Sequence, residues 1–474
     1  SKSKPPFPFG GMDLLVGEQP ARKVFYVMSF PQGAKPRWLS VSGAPKPIIS
    51  AGQVQWIIND WKGVQYEPQM PPLREVIPTV LFTASKNWEY EAEKIAAKIL
   101  TSAVPDEQIQ NLADSLIVEG NKMKTVEAIL FHLQDKFDHI FVSPNLVGYK
   151  PYSAAEILEK GFGDSRNLTV LLLALLKAVD IEAYPALISS RGAMIYDIPT
   201  VHQFDRMVVY AVIDGKAVYL DPVQQYADIG YVGAAQGEKA FIIAPGKAGL
   251  KNIPPIQTDK NRVYFGYNMN IQDDGSATGT VVTEASGSPA MNLRAQFRHT
   301  KKRKKRQHIE RAASNISNGA EIEGERKIVG VENNAVSIKV EFSINDPKAL
   351  VIQDIMGILW MPNAPFEIFH LPDISKDERT FPLFVDKPLQ LITSRTFYFP
   401  NTYKVDYVPP IQHYENDVGK LSIDSQYGEH SLVVNVSLEL TKKRITDADY
   451  EKIKQLIRAM AAKRYRIALL ESRL

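Results

Sequence analysis

Residues 161–190 read GFGDSRNLTVLLLALLKAVDIEAYPALISS, and the order of residue types in that stretch sets the class of the fold. Gly161, Gly163 and Asp164 punctuate a turn. The run from Leu168 to Val179 is strongly apolar, but Lys177 interrupts it and it falls short of the ~20 residues that cross a bilayer. A helix of that kind belongs inside a protein core. The segment after it reads as a strand, and two more strands follow, FDRMVVYAVIDG and KAVYLDP, joined at Asp214-Gly215, a strong signal for a tight hairpin. Helices followed by an antiparallel hairpin make an α+β unit.

Toward the N-terminus, WEYEAEKIAAKIL, DEQIQNLADSLIVEG and KMKTVEAILFHLQDKFDHIFV carry the 3.6-residue period of three amphipathic helices. Asp106 and Asn121 are their candidate caps, and SAAEILEKG is a shorter fourth helix. Before them, from Arg22 to Thr83, the runs KVFYVMSF, RWLSVS and QVQWIIND alternate with Pro, Gly and Ser clusters, the pattern of short antiparallel strands. Beyond Pro254-Pro255, strand-like segments return: NRVYFGYNMNIQ, TGTVVTEASG, AVSIKVEFSI, LQLITSRTFYFP and HSLVVNVSLEL. Two helices interrupt them, a basic one from Pro289 to Ser317 and DADYEKIKQLIRAMAAKRYRI near the end. At 474 residues the chain exceeds one compact core, at ~100–200 residues per domain. The expected division is an N-terminal β domain, whole or partial, over residues 1–85, an α+β domain over 86–250, and a C-terminal β domain with a terminal helix over 251–474.

A 45% hydrophobic and 23% charged composition is that of a folded globular chain. The net charge of +3 gives no global field toward nucleic acid or membrane, so any polyanion site is local. The absence of cysteine excludes disulfides, thiolate metal sites and a thiol nucleophile in this sequence. The opening SKSKPPFPFGG lacks an initiator Met and the zones of a signal peptide, which implies that a leader has been removed or the chain trimmed.

The GDSRN turn resembles the nucleophile turn of the bacterial transglutaminase-like superfamily, where a Gly-Asp-Cys-Lys-Asp type sequence opens a buried helix. The resemblance continues through ALLKAVDIEAYPALISS, through QFDRMVVYAVIDG where the family carries Phe-Asn-His before a strand, and through VYLDP where it carries Leu-Asp-Pro. EPQMPPLREVIPTVLFTASKNW, RTFPLFVDKP, FYFPNTYKVDYVPP and DADYEKIKQLI resemble the flanking β domains of one multidomain subfamily. The implied fold is a central cysteine-protease-like α+β domain flanked by N-terminal and C-terminal antiparallel β domains. Residue by residue, the resemblance sets Ser165 where the family has its nucleophilic Cys, Arg206 where it has the His base, and Asp221 where it has the orienting Asp.

A Cys at a helix N-terminus beside an imidazole ionises near neutral pH. Serine needs a general base, and arginine, which stays protonated, cannot serve as one. Losing such assistance costs ~10²–10⁴ in rate. A Cys-to-Ser exchange alone would leave the His in place, so Arg206 argues for natural loss of catalysis. His202 is the nearest histidine, but it lies four residues away, roughly 13 Å along an extended strand. Each position also has a plainer explanation. Ser165 with Asp164 can cap the helix, and Asp221 before Pro222 can close a strand. Arg206 and Asp221 can also pair with each other.

Between Arg298 and Arg306 the sequence RHTKKRKKR sets Arg298, Lys301, Lys302, Arg303, Lys304, Lys305 and Arg306 close together. A basic helix of this kind binds anionic lipid or another polyanion, or is simply a solvated face. No nucleic-acid module accompanies it. His132 and His139 are seven apart on one predicted helix, without the spacing or companions of a metal site. Gly161-Phe162-Gly163 and Gly287 read as turns rather than phosphate loops. The leading expectation is a non-catalytic binding or scaffold protein without cofactor or metal, extracytoplasmic by family resemblance, with a protein or peptide partner. The competing readings are an enzyme, either Ser-based or a Cys enzyme carrying a replaced nucleophile, and a membrane-surface scaffold acting through the basic helix.

Overall fold

The structure, a computed structural model, describes residues 10–30, 34–142, 150–189, 194–385 and 387–473. The first nine residues, on which the reading of the N-terminus partly rests, lie outside these. The chain divides into two compact units, Ser1–Pro255 and Ile256–Leu474. The segments expected as separate domains over 1–85 and 86–250 both fall in the first.

In the first unit, strands β1 (Gly10–Leu14), β2 (Ala21–Ser29), β3 (Arg37–Val41), β4 (Ile48–Ser50) and β5 (Gln53–Trp61), helix α1 (Leu73–Val76) and strand β6 (Thr79–Thr83) come first. They form two three-stranded antiparallel sheets, ordered β1-β6-β3 and β2-β5-β4. Buried Val54, Trp56, Met28, Val80 and Leu15 make their shared core, and Trp56 Nε1 donates to Ser40 Oγ at 2.8 Å.

Helices α2 (Trp88–Ser102), α3 (Glu107–Ser115) and α4 (Lys122–Lys136) follow, each started by a side chain that accepts the backbone N–H three residues on: Asn87, Asp106 and Asn121. Such caps satisfy one of the N–H groups a helix start leaves without a partner. The predicted third helix stops early. Phe137 turns extended and is buried, and Asp138–His139 form a short strand β7 instead. Then come α5 (Ala154–Lys160), opened by a Ser153–Glu156 capping box, β8 (Phe162–Gly163), which pairs parallel with β7, and α6 (Ser165–Ala178). Every residue of α6 from Ser165 to Leu176 is buried. It packs against α3, α4 and α5 on one side, and β9 (Glu182–Ile188) and β10 (Arg206–Ile213) on the other. With β11 (Lys216–Leu220), β12 (Lys239–Ile242) and β13 (Gly249–Asn252) these strands make an antiparallel sheet ordered β11-β10-β9-β12-β13. The hairpin between β10 and β11 turns at Asp214 (φ 49°) and Gly215 (φ 77°), the left-handed pair that a type I′ turn requires.

The second unit holds β14 (Arg262–Ile271), β15 (Ala277–Ala285), α7 (Gly287–Phe297), α8 (Lys302–Ile316), β16 (Glu321–Val329), β17 (Ile338–Asp346), β18 (Leu350–Gln353), β19 (Met356–Trp360), β20 (Leu383–Phe384), β21 (Leu389–Tyr398), β22 (Tyr403–Tyr407), β23 (Gln412–Asn416), β24 (Gly419–Tyr427), β25 (Ser431–Leu440), β26 (Arg444–Ile445), α9 (Asp447–Ala461) and β27 (Ile467–Ser472). Its main sheet runs β16-β17-β15-β14-β21-β25-β24-β23 and is antiparallel except for the parallel pair β14–β21 at its centre. A smaller sheet is ordered β18-β19-β27-β22. The single basic helix expected from Pro289 to Ser317 is two helices, because Arg298 turns extended and His299 takes a positive φ of 55°.

Leu171 has no exposed surface, so Leu171→Ala should cost about 2–5 kcal/mol through lost contacts and the cavity left behind. Lys177→Ala, at the exposed end of the same helix, should change stability by less than about 0.5 kcal/mol. Denaturant midpoints of the two variants check this.

Candidate functional site

The site is built around the start of α6. Asp164, not Ser165, is the cap: its Oδ1 accepts the N–H groups of Arg166 and Asn167, both at 3.0 Å. Its Oδ2 accepts from Arg166 Nε at 3.1 Å and also pairs with Arg166 Nη2, so both charges of this buried pair are neutralised locally. Gly163 must be glycine here, since a Cβ would sit 2.7 Å from Asn167 Cβ. Asn167 Oδ1 in turn accepts the N–H of Tyr152 at 3.1 Å, tying the segment before α5 to the helix start.

Ser165 is therefore the first helical residue, with its side chain turned toward β10. Its Oγ accepts the Met207 N–H at 3.3 Å, while Thr169 Oγ1, one turn along, donates to the Met207 carbonyl at 3.2 Å. The two hydroxyls, four apart on one helix face, dock α6 onto the strand that starts at Arg206.

Arg206 and Asp221 meet beside this contact. Arg206 opens β10, and Asp221 follows directly on β11, whose last paired residue, Leu220, lies opposite Val209. Arg206 Nη1 donates to Asp221 Oδ2 at 2.8 Å, a single contact rather than a two-pronged one. The Asp221 side chain is 0% exposed and that of Arg206 24%. Asp221 Oδ1 accepts the Val223 N–H at 3.1 Å, and its backbone carbonyl accepts from Gln134 Nε2 at 3.1 Å. The Asp221 charge holds the Arg206 guanidinium protonated beyond its already high value, against the opposing cost of burial.

His139 joins this cluster, which its reading as a helical partner of His132 did not foresee. The β7–β8 pairing sets His139 opposite Gly163, two residues before Ser165. The residue itself is exposed. Partial desolvation lowers its proton affinity below the ordinary histidine value, while Asp221 raises it, Arg206 lowers it and Asp164 raises it. Nothing in the helical period of the segment signals it, because the break after Lys136 depends on the burial of Phe137. His202 lies elsewhere: burial lowers its proton affinity, and the charge that acts on it is Asp13. His132 stays on α4. Among the described residues no group of three or more His, Cys, Asp or Glu is placed to hold a metal, and no helix is long and apolar enough to cross a membrane.

A cleft of about 240 Å³ lies in the same unit, lined among others by Met12, Ser42, Arg74, Ile195 and Gln203. Arg74 braces its wall by donating to the Gln203 carbonyl at 3.0 Å and to Ser189 Oγ at 2.5 Å. The Asp205 carboxylate, next to Arg206, acts on the same guanidinium.

The basic run in the second unit is corrected at one position. Arg298 is buried and its guanidinium is turned to Asn334 Oδ1 at 3.0 Å and Glu332 at 3.4 Å, so it is no part of an exposed basic face. Lys301, Lys302, Arg303, Lys304 and Arg306 are exposed and Lys305 half-buried. Arg306 also pairs with Glu310 at 2.6 Å. The helix they open has no acidic residue in its first turn and no side-chain cap. Cations at that end oppose the helix dipole.

The charges around His139 give a direct check on this geometry. Its imidazole, followed by NMR, should titrate below the ordinary histidine value. Asp221→Asn should lower that midpoint further and Arg206→Met should raise it. A midpoint unmoved by either change would separate His139 from the cluster.

The family model for a domain of unknown function with a solved structure, DUF3858, matches residues 357–470. No curated protein matches the chain. Among solved structures, the chain is similar to a putative protease from Parabacteroides distasonis, with a TM-score of 0.66 and 15% identity over 99% of this chain and 76% of that one. A putative cysteine protease from Cytophaga hutchinsonii is far more distant, with a TM-score of 0.21 and 13% identity over 45% of this chain and 74% of that one. The chain thus shares the fold of a crystal structure described as a putative protease, in agreement with the mixed α and β class expected from the sequence.

Proposed function

We propose that the protein is a non-catalytic, transglutaminase-like binding or scaffold component, extracytoplasmic, whose cleft engages a peptide or protein partner. The observation that carries this reading is the Arg206–Asp221 contact of 2.8 Å. In the family that the sequence resembles, the corresponding Asp orients an imidazole that activates the nucleophile. Here the same carboxylate neutralises a guanidinium, which has no proton to gain and none to give up near neutral pH. Among the described residues, the hydrogen bond of Ser165 Oγ is accepted from the Met207 N–H, a donor that cannot take the hydroxyl proton as a general base would.

A second reading has His139 in its favour. Its imidazole lies within electrostatic reach of Asp221 and Asp164, so a Ser165 nucleophile served by His139 is the form a serine-based acyl transferase or peptidase would take in this chain. No hydrogen bond joins the two residues among those described, and the first reading is therefore preferred.

The two are separated by incubating the full chain with an acyl-directed active-site probe and with an amine-incorporation assay. The expected result is no labelling and no turnover, unchanged in Ser165→Ala and in His139→Gln. Turnover that disappears in both variants would establish the serine enzyme instead. Activity gained by Ser165→Cys with Arg206→His would mark a cleft still able to hold an amide substrate.

The exposed cations from Lys301 to Arg306 are proposed as an attachment to anionic lipid surfaces. Liposome flotation should show binding to vesicles containing phosphatidylserine that weakens as salt rises. Lys301→Gln with Lys302→Gln and Lys304→Gln should reduce it. Retention that is indifferent to salt and to these changes would remove the electrostatic role.

A further inference from the structure

In the second unit, Arg395 occupies an unusual place for a cation. It stands in the core-facing row of β21, with Thr393 and Phe397 as its same-face neighbours, Tyr267 of β14 on one side and Val434 of β25 on the other. None of these carries a negative charge. Its Nη2 donates to the Pro362 carbonyl at 3.2 Å and its guanidinium lies over the Tyr267 ring, 5.8 Å from the centroid. Its Nε is buried and has no acceptor among the described residues.

A second guanidinium reaches the same spot from the start of β27. Arg466, which is exposed, donates through Nη2 to Asn363 Oδ1. Tyr267 Oη donates to the Asn363 carbonyl at 2.5 Å. Three donor side chains thus converge on the dipeptide Pro362–Asn363, of which Asn363 is exposed. No ion pair joins either arginine to a carboxylate among the described residues. The two cations push against each other: burial and the Arg466 charge bring the Arg395 guanidinium down to about 10, with only Tyr267 acting the other way.

A partly buried cation without a counter-charge is costly to keep. A cation–π contact and one carbonyl offset part of that cost. A small anion would offset the rest, and a planar or tetrahedral oxyanion suits the forked guanidinium best. The geometry points to a cationic notch formed by Arg395, Arg466 and Asn363 that binds an oxyanion, either a carboxylate or a phosphate group. This site is distinct from the Ser165 cluster and from the basic segment from Lys301 to Arg306.

The test uses the full chain at constant ionic strength, comparing sodium chloride, sodium acetate and inorganic phosphate by thermal unfolding and by titration calorimetry. Saturable stabilisation by acetate or phosphate beyond chloride is expected; which of the two acts identifies the group recognised. Arg466→Gln, a change at an exposed position, should weaken that binding by about tenfold or more, the loss of one charge-assisted contact. Arg395→Met should abolish it and, in chloride alone, should raise the unfolding temperature by removing a partly buried charge that has no counter-charge. Equal responses to all three salts, undiminished binding in Arg466→Gln, or a fall in unfolding temperature for Arg395→Met in chloride would each overturn the assignment.

Discussion

The helix from Ser165 to Ala178 has no face it can show to water. Its apolar residues must be covered on every side, so helices pack against it from one direction and a sheet from the other. Once it is enclosed in this way, the position of its N-terminus is determined: it emerges where β7 and β8 pair and where β10 begins. The polar residues at that end are therefore buried with it, and each needs a partner. Asp164 takes two backbone amides and Arg166, Asn167 takes the Tyr152 amide, and Ser165 takes the Met207 amide. The candidate site is thus also a structural joint.

That joint gives each polar residue at the helix start a structural reason to be there. A hydroxyl that closes a hydrogen bond to a strand is sufficient reason for a serine to be there. Arginine opposite a fully buried aspartate is a different matter. The carboxylate cannot be left alone at that depth, and the Arg206 guanidinium supplies the opposite charge permanently.

Much of this could be read before the structure. The apolar run at Leu168–Leu176, the caps at Asp106 and Asn121, and the Asp214-Gly215 hairpin are local signals with local physical causes, and they correspond to what is seen. Three things were not local. The end of α4 at Lys136 depends on Phe137 finding a buried place, which no helical period reveals. The split of the basic helix depends on Arg298 reaching Asn334, more than thirty positions away in sequence. The notch around Arg395 depends on strand neighbours drawn from separate parts of the chain. In each case a long side chain or an aromatic ring found a partner that sequence spacing does not encode, and the local pattern yielded to it.

The parallel pair at the centre of the large sheet has a kinetic meaning. Hairpins such as β24–β25 and β14–β15 close over short loops, but β14 cannot acquire its second neighbour until β21 has been made, since Arg262 lies opposite Gln390. Non-local parallel pairing of this kind is slow because the intervening chain must be gathered before any contact rewards it. On a ribosome, the edge of β14 would stay open while everything between the two strands is synthesised. The second unit therefore exposes an unpaired edge during its own synthesis at a strand that ends up in the middle of the finished sheet.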